Sequence, residues 1–214
     1  MCDCGSGHSS HAHDLSLDTE CEISLLSAID LPGVRAQNNQ SSEFPVSCIL
    51  KNYNNRFDVE PSISSNDDDP ELIIYIPFSE VVTISSLALT GGDNGTTPKT
   101  INIFVNRDDI DFSNCNDIEP TQTLNIVDPI NLTNSATETL DYPLKPQKHQ
   151  NVHSLTLFIS ENYDADLTTI QYLGLKGKSS GAKRRAVECV YESKANLADH
   201  KVPDEVKGGF NNVG

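Results

Sequence analysis

Apolar and polar residues alternate along the second two thirds of the chain, in short runs. In TINIFV (100–105) Ile101, Ile103 and Val105 fall on one side; in SLTLFIS (154–160) Leu155, Leu157 and Ile159 do the same. A period of two places such residues on one face of a pleated strand. ELIIYIPF, VVTISSLAL, TQTLNIV, TIQYLGL and AVECVYE have similar lengths and are rich in Ile, Val, Leu, Thr and Tyr. Short strands are therefore predicted from Glu71 onward. Clusters of Pro, Gly, Asn and Asp separate them, and no helix-length periodic segment lies between them. That pattern predicts an all-β fold, an antiparallel sandwich or barrel.

The first third reads differently. Leu17, Ile23, Leu25, Leu26, Ile29 and Leu31 form a weak amphipathic pattern that Pro32-Gly33 ends, so a short helix or irregular docking segment is expected between Leu15 and Arg35. Residues 36–71 are polar and predict a long loop with one short strand near VSCILK. Residues 1–14, rich in Gly, Ser and His, and the Gly-rich residues 203–214 predict flexible tails. Between two predicted strands, Asp93-Asn94-Gly95 is turn chemistry, because Asn and Gly tolerate positive φ, and Pro98 fixes the entry into the next strand.

Composition narrows the function. The formal charge is -16, from 31 acidic and 15 basic residues in 214. Nucleic acid and anionic membranes both demand clustered cations, so neither is expected as a partner. No apolar run approaches the ~20 residues of a bilayer span, and the N-terminus has no basic start or apolar stretch. A cytoplasmic and nuclear protein is expected, with its six cysteines as free thiols. Cys189 reads as a small core residue, and Cys115, in the polar run FSNCND, as exposed or half exposed. No Cys-x-x-Cys occurs, so dithiol redox chemistry of the thioredoxin type has no basis.

Candidate chemistry is sparse. Cys2, Cys4, His8, His11 and His13 are dense in metal-ligating types, but Gly and Ser spacers do not fix the backbone as a structural zinc site requires. No metal site is assigned. NDDDP (66–70) lacks the alternate acids and the glycine of a calcium loop and reads as a solvated acidic turn. No nucleophile elbow, zinc-protease helix or phosphate loop is present, so no catalytic residue and no cofactor is assigned and a non-enzymatic role is expected. Lys183, Arg184 and Arg185 gather three cations on a predicted exposed loop, suited to an acidic protein partner. The loop at Asp93 and Asn94 sits where a sandwich commonly carries binding residues.

Several blocks together resemble a known family. NDDDPELIIYIPF, GDNGTTPKTINIFVN, DFSNCNDIEPTQTLNI, NVHSLTLFISEN, TTIQYLGLKG and VYESKANLADHKV follow, in order, the PITH domain, the C-terminal module of proteasome-interacting thioredoxins. The resemblance runs from Leu15 to Val202, so a domain over 15–202 is expected between the two tails. Lacking a thioredoxin motif, the chain resembles the single-domain branch. The resemblance implies a jelly-roll, galactose-binding-like β-sandwich and association with the regulatory particle of the 26S proteasome. The function expected is that of a monomeric adaptor or modulator, with Lys183, Arg184, Arg185, Asp93 and Asn94 as partner-binding residues. Two alternatives stand beside it. The jelly roll suggests small-ligand, lectin-like binding, which the absence of Trp weakens. The Cys/His tail suggests a metal- or redox-responsive protein.

Overall fold

A computed structural model describes residues 23–40, 43–127 and 140–183. Two predicted segments, the 1–14 tail with its Cys and His residues and the AVECVYE strand with Cys189, lie outside them, as does the C-terminal tail. Nine strands follow in chain order: β1 (Ile23–Ser24), β2 (Arg35–Gln37), β3 (Ile63–Ser64), β4 (Leu72–Gly91), β5 (Pro98–Val105), β6 (Gln122–Asn125), β7 (Leu140–Pro143), β8 (Val152–Asn162) and β9 (Thr169–Lys183). Every pairing among them is antiparallel. No α-helix occurs among the described residues; short 3-10 turns fill the N-terminal third.

The runs ELIIYIPF and VVTISSLAL, two strands by pattern, are one 20-residue strand, β4. Its first half pairs with β8, from Leu72↔Ile159 to Pro77↔Ser154, and with β2 on the other side. Its second half pairs with β9, from Val82↔Ser179 to Gly91↔Ile170, and with β7. The register breaks between Pro77 and Val82. Proline cannot donate to a ladder and is tolerated at such an irregularity. There β4 leaves one layer and enters the other. Both of its ends therefore return to the same end of the molecule, and its bend lies at the opposite end. The first layer reads β2-β4-β8-β5-β6 and the second β7-β4-β9, with β1 and β3 beside β9. This is the all-β antiparallel sandwich that the sequence led one to expect.

Alternation explains the interior. Leu72, Ile74, Ile76, Ile101, Ile103, Leu155, Leu157 and Ile159 line the first layer. Val82, Ile84, Leu87, Leu89, Ile170, Leu173 and Leu175 face them from the second. Leu25, Ala28, Ile49, Leu50 and Ile63 complete the same cluster from the N-terminal third. The opposite face of the first layer carries a second, smaller cluster. Ile73, Phe104 and Phe158 are buried under Ile110, Cys115 and Ile118 of the β5–β6 connection. Phe112 meets Phe158 edge to face at 6.3 Å.

Two sequence expectations are corrected here. VSCI (Val46–Ile49) is a 3-10 turn, not a strand, capped by Pro45 and directing Ile49 into the core. Cys115 is not exposed: it is 3% accessible. The turn from Asp111, whose carbonyl accepts from the Asn114 and Cys115 amides, points the thiol onto the outer face of the first layer. Burial pushes its pKa up.

Candidate functional site

The turn between β4 and β5 shows what Asp93 and Asn94 do locally. Asn94 and Gly95 have φ of 56° and 83°, and the Thr96 amide donates to the Asp93 carbonyl at 3.2 Å. Two consecutive positive φ values define a tight primed β-turn, here joining β4 in one layer to β5 in the other, since the two strands do not pair. The Gly95 carbonyl accepts from the Tyr163 amide at 2.9 Å, and Thr97 Oγ1 donates to the Gly92 carbonyl at 2.7 Å. A Cβ at Gly95 would stand 2.1 Å from the Tyr163 carbonyl oxygen, so glycine is required there by contact as well as by φ. The loop is first of all a packed turn; the Asp93 and Asn94 side chains point to solvent.

Around this turn one end of the sandwich is acidic. Asp67 and Asp68, in the NDDDP turn, are exposed, as are Asp93, Asp164 and Asp166. Lys99 answers one neighbouring carboxylate, Glu161, at 3.4 Å. Tyr163 is committed to structure, its hydroxyl donating to the Ile126 carbonyl at 2.6 Å.

Lys183 lies elsewhere. Thr169, the first residue of β9, bonds Gly92 and Thr96 at the acidic end. Lys183 is the last residue of the same strand and pairs with Glu80, within the β4 bend. The structure therefore separates Lys183 from Asp93 and Asn94 by the length of β9. Arg184 and Arg185 lie outside the described residues.

At the Lys183 end, His149 is 0% exposed. Its Nδ1 lies 3.0 Å from the Lys145 carbonyl, which fixes Nδ1 as the protonated nitrogen, and its own carbonyl accepts from the Ile84 amide at 2.9 Å. Nε2 is buried without a partner. Burial lowers its pKa, and the Lys148 charge adds to that.

The outer faces of the layers differ. On the first, Arg35, Gln37, Ile73, Tyr75, Asp108, Ile110 and Thr156 enclose a cavity of about 10 Å³, room for about one water. The Arg35 guanidinium stacks on Tyr75 at 4.0 Å. On the second, the loop after the 3-10 turn Val46–Ile49 lies over β9. The Arg56 guanidinium lies over two rings, 4.0 Å from the Tyr53 centroid and 4.2 Å from that of Phe57. Lys176 approaches Tyr53 from β9 at 5.3 Å and is paired with Asp141 of β7. Tyr172 is buried beside this group; its ring lies across Gly174, where a Cβ would stand 2.3 Å from the Tyr172 hydroxyl. Burial, with Asp141 and Tyr53 nearby, raises the Tyr172 pKa.

Sequence reasoning missed the Tyr53–Arg56–Phe57 group. Its signal is present in KNYNNRF. Tyr53 and Arg56 are three residues apart at a 3-10 turn, Tyr53–Asn55, and that spacing eclipses the two side chains.

Comparison with known proteins agrees with this architecture. The PITH domain matches residues 16–195. A PITH domain-containing protein 1 of Dictyostelium discoideum is 36% identical over 193 residues, covering 90% of this chain and 91% of that protein. A PITH domain-containing protein of Caenorhabditis elegans, ZK353.9, is 32% identical over 217 residues, covering 98% and 100%. Among solved structures, the CBM32-1 and CBM32-2 domains of Clostridium perfringens ZmpB in complex with GalNAc superpose with a TM-score of 0.51 at 10% identity. They cover 75% of this chain and 37% of that one, a likeness of fold alone. On the length of the family match and the identity to these relatives, the chain belongs to the PITH domain family.

Proposed function

We propose that this chain is a non-enzymatic protein-interaction module, acting in cytoplasm and nucleus, that docks on the regulatory particle of the 26S proteasome as an adaptor or modulator. The observation that carries the reading is its membership of the PITH family over residues 16–195, the family whose resemblance implies proteasome association. The geometry supports a surface role: the interior is filled by aliphatic side chains, and the cavity beside Arg35 holds about one water. Rims and outer faces are what such a body offers to a partner.

The test is co-elution of the purified full chain with purified 26S proteasome at low and moderate salt. Co-elution with the regulatory particle supports the reading; no co-elution at either salt overturns it. Charge reversal of Lys183, Arg184 and Arg185 to Glu asks separately whether those cations take part, and unchanged affinity removes them. Asp93→Lys with Asn94→Asp asks the same of the β4–β5 turn.

A further inference from the structure

We propose that the outer face of the second layer, centred on Arg56 between Tyr53 and Phe57, is a docking surface for an acidic segment of a partner protein. The proposal rests on the interaction-module reading and assigns that reading a surface.

Exposure comes first. Tyr53 is 43% accessible, Phe57 41% and Val59 59%. The core beneath is already closed, so these side chains are surplus to it. Tyr53 and Phe57 are joined through Arg56 into one patch. Tyr, Phe and Arg are the residue types enriched where interfaces concentrate their binding energy.

Charge then selects the partner. Three cations stand here, and two are occupied: Lys51 Nζ donates to the Asp58 carbonyl at 2.7 Å, and Lys176 is paired with Asp141. Arg56 spends one donor, Nη1 to the Tyr53 carbonyl at 2.9 Å. Among the described residues it forms no ion pair with a carboxylate. Its Nε is also buried and without a partner, so the donors left for a carboxylate are those of Nη1 and Nη2 not spent on Tyr53. The two rings shield part of the guanidinium from water, so a carboxylate arriving at its edge is screened less than at an open surface. Preorganisation adds to this, because the stack has already fixed a long side chain that would otherwise lose rotamer freedom on binding. The occupant is thus an acidic segment whose Asp or Glu meets Arg56 while an adjacent apolar side chain covers Phe57 and Val59.

The experiment is binding of the full chain to purified proteasome regulatory particle by biolayer interferometry, for wild type, Arg56→Glu, Arg56→Lys and Phe57→Ala. Thermal midpoints within a few degrees of wild type establish that each variant is folded. Arg56→Glu is expected to weaken binding by tenfold or more. Arg56→Lys weakens it several-fold, since Lys keeps charge but loses the planar fork. Phe57→Ala weakens it by roughly tenfold. Wild-type binding with Arg56→Glu within twofold overturns this surface and leaves the docking reading standing. No binding by wild type overturns the docking reading, and the surface falls with it.

Discussion

Acid should weaken this protein through His149, by an amount the structure sets. In the folded chain His149 is fully enclosed, its Nδ1–H is given to the Lys145 carbonyl, and Nε2 has no partner. Protonation would place an N–H⁺ at Nε2 in an apolar site beside Lys148. The folded pKa is therefore depressed below the ordinary value of 6.5. A depressed value means that the unfolded chain binds the proton first. Stability from the neutral imidazole is complete above about pH 6.5 and is withdrawn as pH falls from there through the lower folded value. One proton taken up only on unfolding costs about 1.4 kcal/mol per pH unit across that window. Between pH 7.5 and 5.5 the loss from this residue is thus at most about 1.4 kcal/mol, the limit reached when the folded imidazole stays neutral throughout. Urea unfolding at pH 7.5, 6.5 and 5.5 measures it, compared with His149→Asn, whose amide nitrogen takes the place of Nδ1 but cannot titrate. The difference in stability between wild type and variant should shrink toward pH 5.5, by no more than that amount. An unchanged difference across the series, or an NMR titration of His149 with a midpoint above 6.5, would refute the reasoning.

Other outcomes follow from the same description. Phe158→Ala empties the centre of the outer cluster under Cys115 and should lower stability by about 3–5 kcal/mol in urea unfolding. Gly95→Ala, with positive φ and a carbonyl at 2.1 Å, should cost clearly more than Gly181→Ala, where φ is 67° but space is open and only the ~1–2 kcal/mol of left-handed backbone applies; thermal melts of the pair decide it. Peptide-mapped alkylation should modify half-buried Cys48 well before buried Cys115, and equal rates would contradict the cover formed by the β5–β6 connection. Lys99→Ala should change stability by less than about 0.5 kcal/mol, because its pair with Glu161 is half exposed on both sides.

Much of the sandwich was legible because its strands obey a period of two. Ile101, Ile103, Leu155, Leu157 and Ile159 sit where alternation places them. Alternation says nothing about continuity, however, and so it splits β4 between ELIIYIPF and VVTISSLAL: an irregular pairing that accommodates proline leaves no local signature. β7 escaped notice because LDYP is four residues long and gains its identity from pairing with β4. Cys115 was misplaced because its neighbours are polar, while its burial is decided by a turn and by Phe104 and Phe158, remote in sequence. The Asp93–Gly95 turn was readable in full because its requirement, positive φ, is local. The Arg56 group was half readable: spacing brings Tyr53 to Arg56, but only β9 beneath, with Lys176 and Tyr172, turns the stack outward.

The long bent strand has a consequence for how the chain is made. Residues 72–91 emerge from the ribosome with β2 as the one partner strand already made among the described residues, and their main partners lie at 140–183. At a translation rate of roughly 5–20 residues per second, an apolar ribbon belonging to both layers waits on the order of 5–20 seconds for its neighbours. The stretch during which that ribbon lies open to other chains is thus set by the spacing of its partners along the sequence, not by the stability of the finished sandwich.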